Sequence, residues 1–89
     1  MSKCERECKN FVEEIKENIE LNEIGEVTDW RARKKENVIE IFINADFLVD
    51  SSIDEFKSIA LDYGMSDLMI EAHGVAKFSL LFSQFYGKW

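Results

Sequence analysis

Two periodicities alternate along this chain, and the alternation happens twice. From Glu5 to Asn22, apolar side chains recur at helical spacing. At about 100° per residue Cys8, Phe11, Val12, Ile15 and Ile19 share one arc, while Glu13, Glu17 and Glu20 lie opposite. The spacing predicts a helix with one packed and one wet face, and Cys4 falls on the packed arc. After Gly25 the period drops to two, and VTDWRARKKENVIEIFIN reads as a β-hairpin. A loop from Lys34 to Asn37 gives the register that keeps apolar side chains together. It sets Thr28, Trp30 and Ala32 against Ile43, Ile41 and Ile39 on one face, and Arg31 across from Glu40 on the other.

DSSIDEFKSIALDYG returns to helical spacing, with a stripe of Ile53, Phe56, Ala60 and Tyr63. Ser52 followed by Glu55 has the form of a capping box, and Gly64 is a stop signal. DLMIEAHGVAKFSLLF then alternates again. A loop of His73, Gly74 and Val75 pairs Ala72 with Ala76, Ile70 with Phe78 and Leu68 with Leu80, and sets Glu71 facing Lys77. A helix from Val75 onward, with Phe78, Phe82, Phe85 and Trp89 on one side, competes with the last strand; the alternation favours the strand.

The expected fold is therefore α+β in two layers, in the order helix, strand, strand, helix, strand, strand. One four-stranded antiparallel sheet carries both helices on one face. The two units share an order of elements without a convincing repeat of residues. Trp30, Ile39, Ile41, Ile43, Ile70, Phe78 and Leu80 make the face that receives the helices. The other face shows Val27, Val38, Phe42, Met69 and Leu81 among Asp29, Arg31, Glu40, Glu71 and Lys77, more apolar than solvation requires. Aromatics crowd the C-terminal segment, so Phe85, Tyr86 and Trp89 are expected to pack on the domain or to offer a contact to another protein.

Composition narrows the picture. A chain of 89 residues, 46% hydrophobic and 33% charged, makes one domain spanning residues 1–89. Its 12% aromatic content separates it from a disordered polyanion. It has no basic leader and no apolar run approaching the roughly 20 residues that cross a bilayer, so a cytoplasmic protein without membrane contact is expected. Two cysteines four residues apart and a single histidine cannot complete a zinc site, so no metal or cofactor is expected and the cysteines read as core thiols. Asp46, Asp50, Asp54 and Glu55 suit the positive end of a helix and match no calcium loop. There is no glycine-rich phosphate loop, nucleophile elbow or H-E-x-x-H motif, and His73 reads as a solvated turn residue. No catalytic residue is assigned, and the chain is not expected to be an enzyme.

Charge ranks the remaining classes. The net charge is -7; Glu13 to Asp29 holds seven acids against one base, and so does Asp46 to Glu71. The stretch WRARKK is split by the hairpin: Trp30 points inward, Arg31 meets Glu40, and Arg33, Lys34 and Lys35 crown the turn. Such a cap is too short to neutralise several phosphates, so direct nucleic-acid binding is not expected. The leading expectation is a small acidic interaction module, an inhibitor that docks Glu13, Glu17, Glu20 and Glu23 on a basic surface of a partner. A nucleic-acid-binding protein offers such a surface, and carboxylates would stand where phosphates go. Two other classes stay open: a homodimeric or ligand-binding module using Phe42, Met69 and Leu81, and a weak RNA-binding domain using Arg31, Arg33, Lys34, Lys35 and Phe42.

Overall fold

The computed structural model describes residues 3–84, apart from the side chains of Lys3, Cys4, Glu5, Lys34, Ser66 and Gln84. Helix α1 (Lys3–Leu21) leads into strand β1 (Gly25–Arg33), a 3-10 turn (Lys34–Glu36) and strand β2 (Val38–Ala45). Helix α2 (Asp50–Asp62) leads into strands β3 (Met65–Ala72) and β4 (Lys77–Gln84). The strands form one antiparallel sheet in the order β1-β2-β4-β3, with the helices packed on it, so the α+β expectation holds. Lys77–Gln84 is a strand, not a helix. The Cys4 side chain and Phe85, Tyr86 and Trp89 lie outside the described residues.

The core fills the space between the layers. Cys8, Phe11, Val12, Ile15 and Ile19 of α1 and Phe56 and Ala60 of α2 meet Ile39, Ile41, Ile43, Leu80 and Phe82 of the sheet. Phe11 is its pivot: its ring stands edge-on to Phe82 at 4.8 Å and tilts against Tyr63 at 5.3 Å. Each fully buried side chain of this size contributes about 1.5–3 kcal/mol.

Several local expectations are corrected. Trp30, Arg31 and Ala32 face Ile41, Glu40 and Ile39 as anticipated, but a bulge between Val27 and Asp29 takes Thr28 out of the ladder. Val27, rather than Thr28, then stands opposite Ile43 and packs against the core. One extra residue swaps the faces of everything before it, and here the swap buries valine and leaves threonine outside, its hydroxyl donating to the Phe42 carbonyl at 3.2 Å.

In the second hairpin Ile70 faces Leu80 and Leu68 faces Phe82, two residues off the expected register, so Glu71 meets Ser79 and Lys77 stands beside Asn44 of β2. The connection is longer than three residues: Gly74 (φ 118) and Ala76 (φ 58) turn the chain, and the His73 N–H donates to the Lys77 carbonyl at 2.8 Å. A slip of two keeps every side chain on its face. It also moves Phe82 from opposite Ser66 to opposite Leu68, under Phe11.

Helix α2 starts earlier than the Ser52–Glu55 box implies. Val49 takes the N-cap position in extended conformation without a side-chain cap bond, and Ser52 lies on a buried line with Phe56 and Ala60. At this spacing of four residues Ser52 belongs to the packed face, and Glu55 turns instead toward Asn18 of α1.

The register also exposes a duplication. A second bulge, between Met65 and Asp67, matches the first, and in both strands the aspartate that follows accepts the next N–H: Trp30 to Asp29 at 2.8 Å, Leu68 to Asp67 at 2.9 Å. At the centre, Ile39 faces Phe82 and Ile41 faces Leu80, pairs that exchange under a half-turn about the sheet normal through the Glu40 and Leu81 pair. The chain is thus two αββ units related by an approximate twofold axis.

Candidate functional site

The helical layer carries most of the negative charge. Helix α1 has six acids to four bases and α2 four acids to one base, so the two helices account for -5 of the net -7. Glu13, Glu17 and Glu20 lie exposed along one side of α1, and among the described residues none forms an ion pair. Arg6, Lys9 and Lys16 fall within about 60° of Glu13 around the same helix, so its first half is charge-balanced and the acid excess begins at Glu13.

Glu23 does not belong to this row. The helix ends at Leu21, and Glu23 follows in left-handed conformation (φ 55). The Glu23 N–H reaches the Glu20 carbonyl (3.2 Å) and the Ile24 N–H that of Ile19 (2.9 Å). This is a Schellman stop, with a glutamate where glycine is usual, and it returns Ile24 to the core.

A second carboxylate group, missed in the sequence, lies where the helices meet. The Tyr63 hydroxyl donates to Glu14 Oε1 at 2.9 Å. Its pKa is raised above the ordinary 10.0, first by burial, then by that hydrogen bond and by the negative charges of Glu14, Asp62 and Glu7. Beside it the Asn18 amide donates to Glu55 Oε2 at 3.3 Å, while Asn18 Oδ1 is buried with no donor. The apolar stripe marks Tyr63 as packed; a partly buried phenol's preference for an acceptor is the signal that could have pointed to an acid on the other helix.

The opposite side of the sheet is chemically different. Glu40 is 3% exposed although it lies on the open face, and its Oε1 accepts from Arg31 Nε at 2.9 Å and Arg33 Nη2 at 3.0 Å. The Arg31 guanidinium also lies over the Phe42 ring, 5.7 Å from its centroid. Two of the basic candidates are therefore held by one carboxylate, and the ring on which a base would stack is already occupied. Lys35 stands exposed on the 3-10 turn, and the Lys34 side chain lies outside the described residues.

His73 is more than a solvated turn residue, since its Nε2 lies 2.6 Å from Ser79 Oγ. Glu71 Oε2 approaches that same nitrogen at 3.9 Å. The trio has the composition of a hydrolytic triad but not its geometry: the acid faces the serine-bound nitrogen rather than the other one, and Ser79 is fully buried from any substrate. Next to it a shallow hollow of about 540 Å³ is lined by Thr28, Asp29, Phe42, Asn44, His73 and Lys77, among others.

Among the described residues no group of three or more histidine, cysteine, aspartate or glutamate side chains could hold a metal ion, and no helix is long and apolar enough to cross a membrane. No protein-family model matches the chain, and neither does any curated protein.

Proposed function

We propose that this protein is a small cytoplasmic interaction module, an inhibitor that docks its acidic helical layer on a basic, nucleic-acid-binding surface of a partner protein. The observation that carries the reading is the separation of charge between the two layers. The helices hold -5, with Glu13, Glu17 and Glu20 outward and unpaired among the described residues, whereas Arg31 and Arg33 are tied to Glu40 on the far side of the sheet. The docking row runs along Glu13, Glu17 and Glu20 and continues across the helix seam to Glu14, Glu55 and Asp62; Glu23 lies at its margin. Carboxylates fixed in this way attract a cationic surface over a Debye length of about 8–10 Å and speed association at low salt.

The test is affinity capture from the native host, with wild-type protein and the triple variant Glu13→Lys, Glu17→Lys, Glu20→Lys as baits. The expected result is a basic partner that DNA or RNA displaces and that the variant holds at least about tenfold more weakly. Equal retention of the same partner by the folded variant would overturn the proposal.

A further inference from the structure

The outer face of the sheet is where the molecule is least like an ordinary solvated surface. Ser79 and Glu40 there are almost wholly buried, at 0% and 3%, because His73, Arg31 and Arg33 reach back over them. With these polar groups satisfied internally, Phe42, its ring partly covered by Arg31, and Leu81 stand partly buried at the middle of the face, and Met69 stands 60% exposed beside them. An apolar centre ringed by preset polar groups is the arrangement of an interface rather than of a wet sheet.

The charges along β1 indicate the occupant. Reading the outward side chains in order along the strand, Glu26 and Asp29 come first and Arg31 and Arg33 follow, two acids at one end and two bases at the other. A row of this kind complements itself when the strand direction is reversed. A half-turn about an axis in the sheet plane and across the strands lays Arg31 of one molecule over Asp29 of another, and Arg33 over Glu26. The same operation brings Phe42 of each copy beside Leu81 of the other on the neighbouring strand, and lays Met69 over Glu71. We infer that the open sheet face is a self-complementary interface, and that the protein forms a twofold dimer in which two such faces stack.

Area and charge set its strength. Four strands about 4.8 Å apart and eight residues of about 3.3 Å each cover roughly 500 Å² per molecule. The total of roughly 1,000 Å² lies at the small end of specific interfaces and corresponds to a weak, reversible dimer. Net charge does not prevent it, because the helices that carry most of the acid point away from the interface. Two sheets about 10 Å apart, each backed by helices about 10 Å thick, hold the two acidic layers roughly 30 Å from one another, nearly four Debye lengths of about 8 Å in physiological salt.

Sedimentation velocity on the full chain, from about 1 to about 500 µM, tests the inference without reference to any other partner. The wild type should pass from monomer to dimer with a Kd in the tens of micromolar, roughly the range of weak interfaces. Met69→Glu, at an exposed position that the fold does not depend on, should raise the Kd at least about tenfold. Glu26→Arg sets arginine against Arg33 of the second copy and should weaken the dimer similarly. Glu13→Lys, on the other side of the molecule, should leave it unchanged. Two results would overturn the inference: a wild type that stays monomeric throughout, or a dimer that Met69→Glu and Glu26→Arg leave intact.

Discussion

Arg31 and Glu40 stand side by side on the outer face of the sheet in the first αββ unit; at the equivalent places in the second stand Met69 and Leu81. All four residues form one continuous row across the strands, and the approximate twofold axis passes through its middle. The same backbone thus holds an ion pair on one side of its axis and an apolar pair on the other. The pairs are not energetically equivalent. Glu40 gives up water to sit 3% exposed, and two guanidiniums on one oxygen must make good that loss, whereas Met69 and Leu81 need no compensation. The comparison teaches that the fold does not require charge at this place, since the second unit holds the same ladder without it. The charge is a feature that one unit has and the other lacks, and it decides which way the face is polarised.

The largest effect is expected where the two units depend on each other. Phe11 belongs to the first, but its ring rests on Phe82 and Tyr63 of the second. Phe11→Ala should therefore destabilise the whole chain by about 3–5 kcal/mol, in a single urea transition seen alike by fluorescence and circular dichroism. Two separate transitions would mean that the units fold independently.

A smaller effect sharpens the comparison itself. Arg31→Met together with Glu40→Leu gives the first unit the row that the second already has. Stability measured by urea denaturation should stay within about 1 kcal/mol of the wild type or rise by up to about 2 kcal/mol. A loss greater than about 2 kcal/mol would show the ion pair to be a net stabiliser.

The smallest effect concerns the hydrogen bond that joins α2 to α1. Because Tyr63 titrates above 10.0 in the folded protein, the folded state holds this proton more tightly than the unfolded chain does. Its stabilising contribution is complete below pH 10.0 and is lost as the pH rises through the raised folded value. Tyr63→Phe should cost about 0.5–1 kcal/mol at neutral pH and flatten the fall in stability above pH 10, as read by denaturation at both conditions. Ultraviolet titration of the wild type should show one phenol ionising late, and a Tyr63 that titrated at the ordinary value would contradict this.

The element order and the assignment of most residues to faces were legible because both follow from backbone period, which each short stretch states for itself. The Arg31 and Glu40 register was legible because packing and charge chose the same alignment. Other features turned on small differences. Val27 and Thr28 are both β-branched neighbours, and only the gain from burying one rather than the other places the bulge. A two-residue slip in the second hairpin changes no face, so alternation could not detect it, and the contact that decides it, Phe82 on Phe11, spans most of the chain. Ser52 has the composition of a cap, but the packed line through Phe56 and Ala60 claimed it.

The candidate site follows the same rule. Glu13, Glu17 and Glu20 were legible from helical spacing, but Glu23 was not, because a glutamate in left-handed conformation carries no local mark. The group around Glu14, Asp62 and Tyr63 was out of reach because it exists only once the two helices are laid together.

The two outermost strands are kinked near their starting ends, at Thr28 and at Ser66, and each kink is followed by an aspartate that ties its carboxylate to the adjoining amide. Rims bent in this way offer no long straight row of amides on which a foreign chain could zip. A visiting chain therefore finds a shortened run of main chain to pair with at each rim, and side chains count for more in its recognition. The same interruptions work against edge-to-edge growth of copies into fibrils.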